Sequence, residues 1–183
     1  MIFSQLLRFI TEPKKYIRIH SKFRRTSLCM ICILLAASAI LTENNTLGLN
    51  PIIIAILAYL IYIFILFIQS IITDFFAQLF KFKANSYLLF TWLGISLLPL
   101  SLNLPLNILS YRLPSSWYLL WDILALTIVC SVFYLQILSI KAIYGCSTKR
   151  SIIIYILPYL AIIGFILLFF ILLSGLTLLF RLQ

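Results

Sequence analysis

Five long apolar runs, separated by short polar segments, are the feature that most limits what this chain can fold into. They cover residues 26–42, 51–72, 87–109, 117–140 and 152–180. A helix needs about 20 apolar residues to cross the hydrocarbon core of a bilayer, and most of these runs reach that length. Lipid offers the backbone no hydrogen-bond partners, so such runs are expected to be helical. The pattern predicts an all-α, polytopic membrane protein with five transmembrane helices in one bundle.

The composition excludes the main soluble classes. Of the 183 residues, 64% are hydrophobic and 10% are charged, and the mean hydropathy is +1.17. A soluble domain carries about 25% charged residues, so the polar side chains here are too few to cover a water-facing globule. A soluble enzyme, a disordered chain and a collagen-like fibre are therefore excluded.

The distribution of Lys and Arg predicts the orientation of the bundle. With five spans and an inside N-terminus, twelve of the 14 basic residues fall in inside segments and two fall outside. The positive-inside rule then places the N-terminus inside and the C-terminus outside. Residues 1–25 become a basic cytoplasmic segment, and residues 26–183 form the membrane domain.

Two runs leave an alternative open. The third run, 87–109, contains Pro99 and Pro105, and a re-entrant third run would place the C-terminus inside with a similar charge bias. The first run is short, follows a basic segment and contains Ala37-Ser38-Ala39, a candidate cleavage site. These three features together are also typical of a cleavable signal peptide. The unusual length of that basic segment, and the second apolar run that follows, favour a retained helix.

The N-terminal segment is predicted to lie on the cytoplasmic leaflet. Phe3, Leu6, Leu7 and Ile10 share one face of a helix, which Pro13 is expected to end. The candidate contacts for anionic lipid head groups are Arg8, Lys14, Lys15, Arg18, Lys22, Arg24 and Arg25. No zinc-finger or helix-turn-helix pattern accompanies these cations, so nucleic acid is not an expected partner.

Catalytic and metal-binding patterns are missing from the sequence. It contains no H-E-x-x-H, G-x-S-x-G, P-loop or G-x-G-x-x-G motif. Cys29 and Cys32 form a C-x-x-C inside an apolar run, where small packing residues are the favoured interpretation. His20 is the only histidine, so the chain cannot build a multi-histidine metal site by itself. We expect no enzymatic activity and no cofactor.

A polar stripe marks the end of the second run. Its candidate residues, spaced three or four apart, are Gln69, Thr73, Asp74 and Gln78. Such a stripe should face the bundle or a cavity, because lipid cannot solvate it. One interpretation is a proton or ion path with Asp74 as the titrating group. The favoured one is a helix end where Asp74 pairs with Lys81 or Lys83, since no second buried acid continues a relay.

Three stretches of the sequence carry a resemblance to a known family. They are Phe9-Ile10-Thr11-Glu12-Pro13 followed by Tyr16, residues 80–99 with Ser86 and Tyr87, and the loop 144–150. With five hydrophobic segments in this order, residues 5–175 resemble the Yip1 domain family, and its bacterial branch most closely. The sequence departs from the family at residues 82–84, where glycines are common.

The resemblance implies a role but no catalytic residues. Eukaryotic members are linked to membrane traffic, Rab GTPases and membrane shaping, with a cytosolic N-terminus and a lumenal C-terminus. For this chain it implies a membrane-organising or adaptor subunit of a bacterial cytoplasmic (inner) membrane. The expected partners are membrane lipids and another membrane protein or a second copy. The alternative is a transporter or accessory permease subunit that uses the stripe around Asp74.

Overall fold

A computed structural model describes residues 9, 11–20, 26–38, 51–110 and 118–181, and these ranges contain helices and no strand. The helices are α1 (Pro13–His20), α2 (Thr26–Ser38), α3 (Pro51–Leu79), α4 (Ser86–Ile95), a 3₁₀ helix (Leu98–Leu102), α5 (Asn103–Ser110), α6 (Tyr118–Tyr144) and α7 (Thr148–Arg181). The predicted all-α class is confirmed.

Within the described ranges, four segments are long and apolar enough to cross a membrane: Ile52–Leu79, Ser86–Leu109, Leu119–Tyr144 and Thr148–Leu172. At about 1.5 Å per residue, α3 is about 43 Å long, which exceeds the roughly 30 Å of a bilayer core. The first apolar run forms the 13-residue helix α2, and residues 39–42 of that run lie outside the described ranges. The chain is thus a multi-pass helical protein, and the five-span count stays a prediction.

The third run is a broken helix. It is built from α4, the 3₁₀ helix and α5, and Pro99 lies in the first turn of the 3₁₀ helix. Proline supplies no backbone N–H, so an unbroken α-helix through this point would lose a hydrogen bond. At the break, the N–H of Leu97 donates to the carbonyl of Gly94 at 3.1 Å. The run is long enough to span, and the re-entrant alternative stays open.

This broken run lies at the centre of the bundle. In the 18-residue stretch of highest hydropathy within its candidate span, 61% of the residues are buried inside the protein. The corresponding share is 11% for α3 and 17% for α7. It contacts α2, α3 and α6, and Trp92 is completely buried within it. The other long helices therefore surround the third run and turn much of their apolar surface outward.

Helix α2 packs closely against α4. A Cβ atom added to Gly94 would lie 2.4 Å from the Sγ of Cys29, so the glycine leaves the space that the sulfur occupies. The Sγ of Cys29 also lies 3.9 Å from the carbonyl oxygen of Phe90. Cys29 and Cys32 are fully buried and form no disulfide. The prediction that they are small packing residues is confirmed.

Pro13 separates two helical stretches of the N-terminal segment. Phe9 and Thr11 are helical, Glu12 is not, and Pro13 is the first residue of α1. Proline suits the first position of a helix because its missing N–H has no partner there in any case. The helix expected before Pro13 therefore ends where predicted, and a second one begins.

The described part of the N-terminal segment packs against the bundle. Phe9, Tyr16 and Ile17 are buried, and the ring centroid of Tyr16 lies 6.2 Å from that of Trp92. Helix α1 also contacts α6. The predicted apolar face, Phe3, Leu6, Leu7 and Ile10, lies outside the described residues.

Two helices end in a left-handed residue. Gly145 follows α6 with a φ of +62°, the conformation in which glycine commonly ends a helix. Lys81 follows α3 with a φ of +65°, although a side chain disfavours that conformation. The N–H groups of Lys81 and Phe82 donate to the carbonyls of Gln78 and Ala77, which is the Schellman pattern. This turn directs residues 82–85 back across the end of the bundle.

Burial is concentrated at one end of the long helices. In α7, Ser151, Ile154 and Tyr155 are buried, whereas every residue from 159 to 172 is exposed. The buried side chains of α7 thus lie in its first three turns, and residues 159–172 continue as an apolar helix with exposed side chains.

Candidate functional site

The predicted polar stripe of α3 faces the interior only in part: Thr73 and Asp74 are buried, whereas Gln69 is half-buried and Gln78 is exposed. Ser70, Thr73 and Asp74 are each at most 3% exposed, whereas Phe75 on the opposite face is 57% exposed. The buried positions recur at spacings of three and four residues, so they share one side of the helix. The contacts of Asp74 therefore decide what the stripe does.

Three donors surround the Asp74 carboxylate. Its Oδ1 accepts a hydrogen bond from the backbone N–H of Asn85 at 2.9 Å and another from the hydroxyl of Tyr144. Its Oδ2 accepts from the side-chain amide of Gln78 at 3.2 Å. We call Asp74, Gln78, Asn85 and Tyr144 the Asp74 cluster. It ties the end of α3 to the start of α4 and the end of α6.

The position of the carboxylate suits a helix N-terminus. Asn85 is the N-cap of α4, but its own side chain makes no capping hydrogen bond. Asp74 supplies the acceptor from another helix, and its negative charge lies where the α4 macrodipole is positive. The Schellman turn at Lys81 brings Asn85 back to this point. The cluster is therefore a capping contact made between elements.

The predicted pairing of Asp74 with Lys81 or Lys83 is wrong. Both lysines are exposed, and the ion pair found within the described ranges joins Lys15 to Glu12 at 3.1 Å. The lysines were predicted because they lie close to Asp74 in sequence. The left-handed turn at Lys81 instead brings the backbone N–H of Asn85 to the carboxylate.

A second set of polar side chains crosses the bundle at Gln69, about one turn before Asp74 in α3. The Nε2 of Gln69 donates to the hydroxyl of Tyr159 at 2.9 Å, and that hydroxyl lies 3.5 Å from the hydroxyl of Tyr155. Tyr155 donates to the Oε1 of Gln136 at 2.7 Å. We call these four residues the Tyr155 network. It connects α3, α6 and α7 by hydrogen bonds that lipid does not offer.

Sequence reasoning missed most of these partners. Gln69 belonged to the predicted stripe, but Gln136 did not, although it is a buried amide inside an otherwise apolar stretch of α6. A polar side chain within an apolar span is itself a signal for an interhelical contact. Tyr144 and Tyr155 gave no such signal, because tyrosine is common in apolar runs.

The N-terminal cations are only partly placed. The side chain of Lys15 is exposed and pairs with Glu12. Lys14 and Arg18 belong to α1, whereas Arg8, Lys22, Arg24 and Arg25 lie outside the described residues. Their contact with anionic lipid stays a prediction. Across the described ranges, no three His, Cys, Asp or Glu residues come close enough to hold a metal ion.

These features define a helical, multi-pass membrane protein whose buried polar side chains bond to one another. Comparisons with protein-family models, curated proteins and solved structures give no match for this chain. The resemblance to the Yip1 family is therefore a prediction that rests on the sequence alone.

Proposed function

We propose that this chain is a membrane-organising or adaptor subunit without catalysis, of the Yip1 kind, in a bacterial cytoplasmic membrane. In this proposal it crosses the membrane five times, with its N-terminus inside and its C-terminus outside. The observation that carries the role is the apolar surface of α7, which is exposed at every residue from 159 to 172. Exposed apolar side chains along this part of the helix are available to lipid and to a partner helix.

One residue of that surface favours close helix contact. A Cβ added to Gly164 would meet nothing within 4 Å, so the glycine forms an open notch between large apolar neighbours. Small residues at such positions let two membrane helices approach closely. This supports a partner helix, from another membrane protein or from a second copy, in addition to lipid.

The contacts of Asp74 support the adaptor over the transporter. Both carboxylate oxygens already accept hydrogen bonds from protein groups. An ion path needs a group that exchanges its partners for water or an ion as transport proceeds. Asp74 instead joins three helices, so we assign it a structural role.

Photo-crosslinking in native membranes tests the adaptor role. A photoreactive amino acid at Phe165, which is 71% exposed, should give one discrete protein adduct. The same group at Ile154, which is fully buried, is the matched control and should give no intermolecular adduct. Lipid adducts alone from Phe165 and from the neighbouring exposed position Leu168 would contradict the proposal.

A further inference from the structure

Five cations gather where two loops meet at one end of the bundle. They are Lys81, Lys83, Lys141, Lys149 and Arg150, all exposed, and we call them the loop-end patch. The rings of Phe82 and Tyr144 pack with centroids 5.7 Å apart, which holds the 80–85 loop against the end of α6. The patch is thus drawn together from residues up to 69 positions apart in sequence.

A hydrogen bond keeps one ammonium group at this place. The Nζ of Lys141 donates to the Oγ1 of Thr148 at 2.8 Å, and Thr148 is the first residue of α7. Lys149 and Arg150 follow directly. The three like charges therefore share a small region, where their mutual repulsion is unfavourable unless an anion is near.

The described residues place no exposed acid at this patch. The chain has four acidic residues. Asp74 is buried among its three donors, Glu12 pairs with Lys15, and Asp122 lies near the opposite end of α6. The fourth, Glu43, is outside the described residues. The charge of the patch is therefore left for a ligand from outside the described chain.

Three of the five cations occupy positions that cost folding free energy. Lys81 holds a left-handed conformation that glycine adopts without strain. Lys149 and Arg150 lie in the first turn of α7, which contains no acidic residue, and cations there oppose the helix macrodipole. Cations held at unfavourable positions indicate a use other than stabilising the fold.

The location of the patch selects its ligand. The candidate spans end at Leu79 and Tyr144 and begin again at Thr148, so the five cations lie at the border of the apolar region. That is the level of phospholipid head groups. We propose that the loop-end patch binds the phosphate groups of anionic phospholipids, a site distinct from the N-terminal cations and independent of the adaptor role.

Lipid binding by the purified full-length protein in neutral detergent tests this site. The probes are a short-chain fluorescent phosphatidylglycerol, the matching phosphatidylcholine, and inorganic phosphate as a competitor. We expect the anionic lipid to bind at least about tenfold more tightly than the zwitterionic one, and its affinity to fall as salt rises. Equal affinity for the two lipids would overturn the proposal.

Variants assign the binding to the patch. The double substitution Lys149→Gln and Arg150→Gln should weaken phosphatidylglycerol binding by about 25-fold, at about fivefold per cation. The charge-retaining control, Lys149→Arg with Arg150→Lys, should stay within about threefold of the wild type on the same scale. If the double variant melts early, Lys141→Gln replaces it, with an expected loss of about fivefold. Unchanged binding in a folded neutralised variant would overturn the assignment.

The competitor separates a lipid site from a free-anion site. Inorganic phosphate at millimolar concentration should displace no more phosphatidylglycerol than chloride does at the same ionic strength. Stoichiometric displacement by phosphate would show that the patch recognises a soluble anion and would contradict the commitment to lipid.

Discussion

Replacing Asp74 with alanine is expected to lower the free energy of unfolding by about 3 kcal/mol, because the change leaves buried donors without an acceptor. The backbone N–H of Asn85 and the hydroxyl of Tyr144 would both lose their partner, and the start of α4 would lose its capping charge. The measurement is unfolding in mixed micelles, followed by the helical signal.

Two variants give this experiment its controls. Asp74→Asn keeps an oxygen that can accept from Asn85 and Tyr144, so we expect a loss of only about 1 kcal/mol. Asp122→Ala makes the same chemical change at an exposed position and should shift stability by less than about 0.5 kcal/mol. Equal effects of Asp74→Ala and Asp122→Ala would show that the Asp74 cluster does not hold the helices together.

Replacing Gly94 with alanine is expected to destabilise the protein by about 1–3 kcal/mol, the usual range for an overpacked core. The new methyl group would lie 2.4 Å from the Sγ of Cys29 and 3.2 Å from the Cδ1 of Ile33, so α2 must move away from α4. The apparent melting temperature in mild detergent measures the loss.

The matched controls for Gly94 come from the same chain. Gly164→Ala meets nothing within 4 Å and replaces a helical glycine, so in the purified chain without a partner helix it should be neutral or stabilising by up to about 1 kcal/mol. Adding Cys29→Ala to Gly94→Ala removes the clashing sulfur and should recover part of the loss. If the double variant loses as much stability as the sum of the two single variants, the loss in Gly94→Ala does not come from the contact with Cys29.

Much of the fold was predictable because lipid imposes a simple rule on sequence. Long apolar runs must be helical, and the lengths of the second, fourth and fifth runs follow directly from their hydropathy. Pro99 likewise indicated a discontinuity in the third run. The central position of the third run was not predicted, although its candidate span has the lowest mean hydropathy of the four, 1.5 against 2.3 to 2.8. The notch at Gly94 and its contact with Cys29 place the third run there.

For the candidate site, the sequence predicted only which side of α3 faces the bundle, not which residues bind to Asp74. Periodicity placed Asp74 on the inner side of α3, and burial confirms this. Its partners were mistaken, because periodicity reports neighbours on the same helix, whereas Tyr144 is 70 residues away in sequence. Lys81 adopts the left-handed turn without being a glycine, so the path of the following loop gave no signal either.

Flux through proteoliposomes tests most directly whether the buried polar residues hold the bundle together or conduct. Purified wild type and the Asp74→Asn variant are reconstituted separately, and proton and monovalent-ion flux are compared with protein-free vesicles. We predict the same flux in all three preparations. A wild-type flux above the protein-free level that Asp74→Asn abolishes, while the variant stays folded, would contradict the structural role of Asp74 and establish the transporter alternative.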